Sequence, residues 1–242
     1  MKERNFYSRE EIEGNIINYK MELLEYKSEL QHDLNKCTGC GICVIVCPKE
    51  AIERIDNEEY VHIPNVEACS FCGICDYMCP FDAWTLLING EHKLILKETP
   101  GNLPDLISEE LECPRTNKPV KKFLEGYIKI YPEKCPVDCK KCVDACMMNV
   151  IEFTSLGKDR EVKLDEKKCI YCTACSVVCP EPEALIVERT GIKFDDTQIK
   201  SSSVFNEIMR NLISQTYLAK MLRKKTLEIA RETGYKLFSL KI

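Results

Sequence analysis

The sequence lacks the features on which several protein classes depend. Its 242 residues contain no run of about 18 apolar residues, so no transmembrane helix or membrane insertion is expected. The N-terminus has no apolar core and no cleavage-site pattern, which predicts a cytoplasmic protein. Only three histidines and no glycine-rich phosphate-binding motif are present, which argues against a nucleotide-dependent enzyme. The net charge of −5 disfavours nucleic acid and anionic membranes as partners.

Against that background the chain has 17 cysteines, and all but one fall into four runs. Three runs share the spacing C-x2-C-x2-C-x3-C-P. The third run has one extra residue in its first gap and Met147 in place of the proline. The sixteen cysteines are predicted metal ligands: Cys37, Cys40, Cys43, Cys47, Cys69, Cys72, Cys75, Cys79, Cys135, Cys139, Cys142, Cys146, Cys169, Cys172, Cys175 and Cys179.

This spacing is typical of the bacterial ferredoxin run that holds a [4Fe–4S] cluster. Two-residue gaps let three thiolates of one tight loop reach three corners of a cuboidal cluster, while the fourth cysteine points away from that loop. Zinc is the competing interpretation, but zinc ligands usually come as cysteine pairs separated by a dozen or more residues. Disulfides would need an oxidising compartment, which nothing in the sequence indicates.

In two-cluster ferredoxins the fourth cysteine binds the neighbouring cluster, which predicts four crossed sites. We call them sites I to IV. Site I takes Cys37, Cys40, Cys43 and Cys79, and site II takes Cys69, Cys72, Cys75 and Cys47. Site III takes Cys135, Cys139, Cys142 and Cys179, and site IV takes Cys169, Cys172, Cys175 and Cys146. The predicted cofactors are therefore four [4Fe–4S] clusters.

The runs pair into an internal repeat, which predicts an α+β fold with two tandem bacterial-type ferredoxin modules and added N- and C-terminal helices. The expected divisions are an N-terminal helix (1–34), module 1 (35–90), a connector (91–131), module 2 (132–190), and a C-terminal helix and tail (191–242). Four short segments are predicted strands: 51–55, 60–63, 83–88 and 161–164. Because such modules have little apolar core, we expect metal ligation to supply much of their folding free energy.

Both ends of the chain show helical patterns. Ser8 and Glu11 resemble a capping box, and apolar residues from Ile12 to Leu30 recur at gaps of three and four. A second helix is expected from a cap at Ser203 to about Thr233. These helices could pack on the modules or dock to another subunit. In the connector, a short helix is expected at 103–112, and the lone Cys113 is interpreted as structural rather than reactive.

A cluster held by four thiolates has no open position for substrate, so the predicted role is electron transfer without substrate chemistry. Four clusters would bring the net charge to about −13, which opposes reduction and favours low potentials. Lys140 and Lys141 in run three could raise the potential of site III, or could point to water. The alternatives to a subunit of an anaerobic oxidoreductase complex are a freely diffusing carrier, a structural or regulatory cluster protein, and an enzyme that uses Cys113.

The chain resembles the polyferredoxins of methanogenic archaea, and most of all the polyferredoxin subunit of formylmethanofuran dehydrogenase. The resemblance covers roughly 35–195 and is carried by three segments: CPFDAWTLLINGEHKLI, KCPVDCKKCVDAC and KCIYCTACSVVCPEPEAL. It implies that the sixteen cysteines named above bind the clusters. It also implies that redox subunits of a complex are the partners, and we expect the terminal helices to contact them.

Overall fold

The computed structural model describes residues 6–55, 60–99, 102–154, 160–198 and 202–213. The strands in these ranges are β1 Tyr7–Ile12, β2 Ile16–Leu23, β3 Tyr26–Asp33, β4 Glu53–Arg54, β5 Val61–His62, β6 Trp84–Ile88, β7 Glu91–His92, β8 Glu109–Glu112, β9 Pro119–Lys122, β10 Leu124–Ile130, β11 Ile151–Phe153, β12 Val162–Leu164 and β13 Leu185–Ile192. The helices are α1 Ile42–Val46, α2 Ile74–Tyr77, α3 Ile95–Glu98, α4 Lys141–Asp144, α5 Ala174–Val177 and α6 Ser203–Ile213. No helix in the described ranges is long and apolar enough to cross a bilayer.

The same order of elements occurs twice. Strand β3 is followed by α1, the β4–β5 hairpin, α2 and β6, and strand β10 is followed by α4, the β11–β12 hairpin, α5 and β13. In each copy the first and last strands pair antiparallel, β3 with β6 and β10 with β13. The four predicted strands at 51–55, 60–63, 83–88 and 161–164 contain β4, β5, β6 and β12, so these predictions are confirmed. The chain is therefore a small helix-and-strand protein built on an internal repeat.

The predicted N-terminal helix is wrong, because residues 7–33 form three antiparallel strands. These strands extend the first module into a five-stranded sheet in the order β1-β2-β3-β6-β7. In β3 every second side chain is buried, which is the period of a strand with one face on the core. The turns between the strands place Asn15 and Leu24 at positive φ, which ends any helix there. The predicted helical pattern, with apolar residues three and four apart, included the alternating buried positions of the strands. It also continued through both turns without a break.

The connector also differs from the prediction. No helix forms at 103–112; β8 instead makes a hairpin with β9. Strand β10 lies inside the predicted connector but belongs to module 2, because its whole length pairs with β13. The two structural repeats therefore span about 26–88 and 124–192, each one strand longer at its start than the cysteine spacing predicted.

At the C-terminal side, helix α6 lies within the segment where a helix was expected. Its cap is Ser202 rather than Ser203, since the Ser202 hydroxyl accepts a hydrogen bond of 3.0 Å from the Phe205 amide. Phe205, Ile208 and Leu212 are buried on the face that packs against both α1 and β13. Helix α6 thus packs against both modules. The remainder of the predicted helix, to about Thr233, lies outside the described residues.

Under the five-stranded sheet, His32 and Trp84 are both buried and stack with ring centroids 3.9 Å apart. Among the described residues, neither ring nitrogen of His32 has a hydrogen-bond partner. Burial lowers the pKa of His32 to about 4, although the Asp33 carboxylate opposes the change. The unfolded chain, with a histidine pKa near 6.5, therefore binds a proton that the folded chain does not bind between pH 6.5 and 4.

We accordingly expect module 1 to lose stability as the pH falls below about 6.5, with about 2 kcal/mol lost from His32 by pH 5. A His32→Phe variant keeps an aromatic ring against Trp84 and removes the titrating group. The apparent melting temperatures of the two cluster-loaded proteins, compared between about pH 7 and pH 5, should diverge as the pH falls. Parallel profiles would show that His32 does not control the acid sensitivity.

Candidate metal centres

In module 1, two cavities are each lined by four cysteine thiols. The first is lined by Cys37, Cys40, Cys43 and Cys79. The second is lined by Cys47, Cys69, Cys72 and Cys75. These are the sets predicted for sites I and II. The fourth cysteine of each run thus lies beside the first three cysteines of the other run.

In module 2, electrostatic effects between the thiols group the cysteines in the same crossed way. Burial raises the pKa of Cys142 to about 11, and the thiols with the largest electrostatic effect on this pKa are those of Cys135 and Cys179. Burial also raises the pKa of Cys175, and the thiols acting on it are led by Cys172, Cys146 and Cys169. The structure therefore brings together the sets predicted for sites III and IV. The ligand role of all sixteen residues remains a prediction.

The arrangement of these thiols fits a multi-iron cluster better than a single ion. All 17 cysteines lie in described residues, and each is a free thiol. Within the described ranges, no three cysteine, histidine or acidic side chains are close enough together to hold one metal ion. A zinc site would draw four thiolates to about 2.3 Å from a single ion. Thiols that line a cavity can instead each contact a different corner of a larger inorganic group.

The tight loop of each run depends on left-handed backbone before the second cysteine. The residue at that position has positive φ in all four runs: Gly39 60°, Phe71 50°, Asp138 59° and Tyr171 52°. Three of these residues are not glycine, so the loop holds a conformation that side chains disfavour. The extra residue of run three is accommodated ahead of this position.

The residue after the second cysteine separates run three from the others. Gly41, Gly73 and Thr173 have φ of 75°, 77° and 68° there, whereas Lys140 has φ −123°. At Gly41 a Cβ would overlap the Arg54 guanidinium, so a side chain there would displace that group. Because Lys140 is not left-handed, run three carries a lysine at this position without the strain of positive φ.

Backbone amides point at three of the four fourth cysteines. The amides of Ala51 and Ala83 each lie 3.3 Å from the sulfur of the cysteine four residues earlier, Cys47 and Cys79. The Val150 amide lies 3.5 Å from the Cys146 sulfur. Hydrogen bonds of this kind stabilise negative charge on thiolate ligands and help to set cluster potentials.

Burial raises the pKa of ten of the sixteen thiols, to about 12 for Cys79 and about 11 for Cys69. Without metal, these ten thiols therefore hold their protons at neutral pH. Since a ligating cysteine must be deprotonated, cluster assembly would release these protons and supply the charge that stabilises the thiolates.

Three arginines donate to the loops, and the sequence analysis missed all of them. Each guanidinium bonds the carbonyl oxygen of the second cysteine of a run, namely Arg54 to Cys40 (2.6 Å), Arg160 to Cys139 (2.9 Å) and Arg189 to Cys172 (3.0 Å). Arg160 and Arg189 are only 5% and 8% exposed. All three arginines lie in a strand or hairpin, 14 to 21 residues after the cysteine whose carbonyl they bond. The sequence does contain a signal for them, since an arginine lies 14 to 21 residues after the second cysteine of runs one, three and four.

The two modules meet between sites I and IV. Burial raises the pKa of Cys172 in module 2 to about 12. The second largest cause of this rise is the charge of Cys40 in module 1. Burial lowers the pKa of Arg189, while the Cys172 and Cys40 thiols oppose that change. Helix α6 packs on α1, which follows Cys40, and on β13, which carries Arg189. The thiols of neighbouring sites thus act on one another electrostatically in the order II, I, IV, III.

Lys140 and Lys141 are exposed. The basic group against site III is instead Arg160, which donates to the Cys139 and Pro136 carbonyls. Burial raises the pKa of Cys135, and the Arg160 guanidinium opposes that rise.

Cys113 lies at the start of the β8–β9 turn, and it is not among the thiols that line the two cavities of module 1. It is fully buried, its amide donates to the Lys118 carbonyl, and its thiol donates to the Met147 carbonyl at 3.4 Å. These contacts fit a structural role in the hairpin.

We expect Cys113→Ser to keep the iron content and the cluster potentials of the unchanged protein. A serine hydroxyl can make the same hydrogen bond, and the substitution removes only the sulfur. Iron analysis and a redox titration of both proteins provide the check. A lost cluster signal in the variant would assign Cys113 to a metal site.

Two family models match parts of the chain: a 4Fe-4S binding domain at 30–53 and a 4Fe-4S dicluster domain at 134–182. Among curated proteins, a putative oxidoreductase, UacF, from Escherichia coli K12 is 36% identical over 72 residues. That match covers 28% of this chain and 11% of UacF, so the chain corresponds to a small part of that protein. The chain therefore carries ferredoxin-type 4Fe-4S domains.

Among solved structures, the fold is similar to a chain of the formate dehydrogenase–heterodisulfide reductase–formylmethanofuran dehydrogenase complex from Methanospirillum hungatei. The TM-score is 0.66 at 24% identity, and the match covers 86% of this chain and 91% of that chain. The likeness extends over both modules and establishes a shared fold.

Proposed function

We propose that this chain is a low-potential electron relay with four [4Fe–4S] clusters and that it works as a subunit of an anaerobic oxidoreductase complex. The observation that carries the proposal is the crossed gathering of sixteen thiols into four groups, two in each module. A [4Fe–4S] cluster with four thiolate ligands supplies reversible one-electron chemistry and has no open position for substrate. The chain's own residues would bring the four thiols of each group together around the cluster.

Low potentials are supported by charge. The chain has a net charge of −5 before any cluster is added, and the bound clusters would make it more negative. Each added electron then works against an existing negative charge, which lowers the potential. The amides and arginines at the loops offset part of this repulsion, so the potentials should differ between sites.

A subunit role is supported by the structural likeness to a chain of a multi-enzyme complex that contains formate dehydrogenase and formylmethanofuran dehydrogenase. The partners would be redox subunits that contact the outer sites, II and III. The predicted docking through an N-terminal helix no longer holds, because residues 7–33 form strands. Docking through the C-terminal helix remains a proposal, and it now depends largely on residues outside the described ranges.

The test is anaerobic purification with iron and sulfide analysis, followed by a reductive titration monitored by electron paramagnetic resonance. We expect about 16 iron per chain and reduced-cluster signals below about −300 mV. About 12 iron would show that the irregular run three holds no cluster. Full iron without a reducible signal would indicate a structural role instead, and purification as a soluble monomer with full activity as a carrier would contradict the subunit role.

A further inference from the structure

The three arginines described above give the four sites different electrostatic surroundings. At sites I, III and IV a guanidinium donates to the carbonyl of the second cysteine. These groups stay protonated near neutral pH, because an arginine remains charged in almost any protein environment. Each therefore places a full positive charge beside a loop that binds metal.

Site II differs. A Cβ at Gly73 would meet the Cδ2 atoms of Leu86 at 2.9 Å and Leu94 at 3.1 Å. A Cβ at Gly41 would instead meet the Arg54 guanidinium. The residues 14 to 21 positions after Cys72, 86–93, contain no arginine. Apolar side chains thus fill the space that a cation fills at site I.

An acidic side chain adds to this difference. Asp76 directly follows Cys75, its side chain is 10% exposed, and it accepts a 2.7 Å hydrogen bond from the Leu86 amide. His92 lies 2.9 Å from the same carboxylate and is more than half exposed. Where a guanidinium bonds the loops of sites I, III and IV, the described residues thus place a largely buried carboxylate beside the loop of site II.

Sites I and IV have the opposite surroundings, because their arginines meet at the module boundary. Arg54 donates to Cys40 from module 1, and Arg189 donates to Tyr171, Cys172 and Thr173 from module 2. Arg189 is also within electrostatic reach of Cys40 and Arg54. Two guanidinium groups thus act on two neighbouring sites.

We propose that the arginines grade the reduction potentials of the relay, with the highest potentials at the boundary sites I and IV and the lowest at site II. This inference rests on the proposed function. A positive charge stabilises the form with the extra electron and raises the potential. On reduction each cluster gains one electron from the reductant, and the guanidinium neither gains nor loses a proton. Arg189 is a positioning residue in this scheme, since it holds the loop and acts on the clusters through its charge.

The experiment is a reductive titration of the cluster-loaded full chain with dithionite and redox mediators, monitored by electron paramagnetic resonance. Signals are assigned with variants that each lack one cluster. In the unchanged protein, the first electrons should appear on sites I and IV and the last on site II. An Arg189→Met variant should lower the reduction equilibrium constant of both sites I and IV about tenfold, which is about 59 mV for a one-electron step.

Three further variants separate charge from packing. Arg189→Lys keeps the charge, so the potentials of sites I and IV should stay close to those of the unchanged protein. Arg210→Gln removes an exposed arginine that pairs with Glu207 on α6 and should change nothing. If Arg189→Met loses iron, Arg54→Gln decides, because Arg54 is only partly buried and should lower the potential of site I with full iron retained.

Unchanged potentials in an iron-replete Arg189→Met or Arg54→Gln variant would overturn the proposal, and so would a first electron on site II. Failure of the proposed function is distinguishable from both results. It would appear in the unchanged protein as missing iron or as clusters that cannot be reduced, before any variant is compared.

Discussion

Cys79→Ala should remove the cluster of site I and leave site II intact, although Cys79 belongs to the run that supplies three ligands to site II. The reason is geometric, since the Cys79 thiol lines the same cavity as Cys37, Cys40 and Cys43. We expect the iron content to fall from about 16 to about 12 per chain, and the spectral signal that disappears should be the one lost in Cys40→Ala.

The matched control is Cys47→Ala. Cys47 has the same position in run one and lines the cavity of Cys69, Cys72 and Cys75. It should remove the signal that is lost in Cys72→Ala and keep the signal of site I. Both variants remove one thiol that accepts an amide hydrogen bond, although Cys79 is buried and Cys47 only half-buried. If Cys79→Ala and Cys72→Ala lose the same signal, each run holds its own cluster and the crossing is wrong.

Removal of iron should unfold both ferredoxin modules. Helices α1, α2, α4 and α5 have only four or five residues each, which is too short to persist without tertiary support. Seven of the sixteen cysteines belong to the hydrophobic core, so the loss of the clusters would leave thiol-lined cavities inside it. After treatment with an iron chelator under anaerobic conditions, we expect the helical circular dichroism to disappear and the hydrodynamic radius to increase.

The unfolding should be less complete at the N-terminal sheet. Tyr19, Leu30 and Trp84 are buried against one another without contributing a metal ligand, and β1–β3 pair over their whole length. Some strand signal should therefore survive. Reconstitution with iron and sulfide is the control for reversibility. A metal-free chain with unchanged dichroism and radius would show that the metal adds little to the folding free energy.

The cysteine spacing predicted the loop that carries the first three thiols of each run, because local backbone geometry places them. The crossing of the fourth cysteine was predicted from the pattern of two-cluster ferredoxins instead. The N-terminal strands could not be predicted in the same way. The residues from Ile12 to Leu30 satisfy a helical spacing as well as a strand spacing, and tertiary pairing of β3 with β6 decides between them. The arginines were missed for a related reason. Each acts on a loop 14 to 21 residues away, so its role depends on how a later strand returns to the cluster.

The pairing of first and last strands in each repeat affects the order of events during translation. Module 1 closes when β6 pairs with β3, and its last strand, β7, ends at His92, before β10 begins at Leu124. Module 2 cannot close until β13 has been made, since β13 is the pairing partner of β10 in the described part of the chain. Because domains tend to fold in the order in which the ribosome delivers them, iron–sulfur assembly on sites I and II can be complete while module 2 is still being synthesised. The boundary between sites I and IV then forms last, when Arg189 emerges and packs beside a loop that is already loaded.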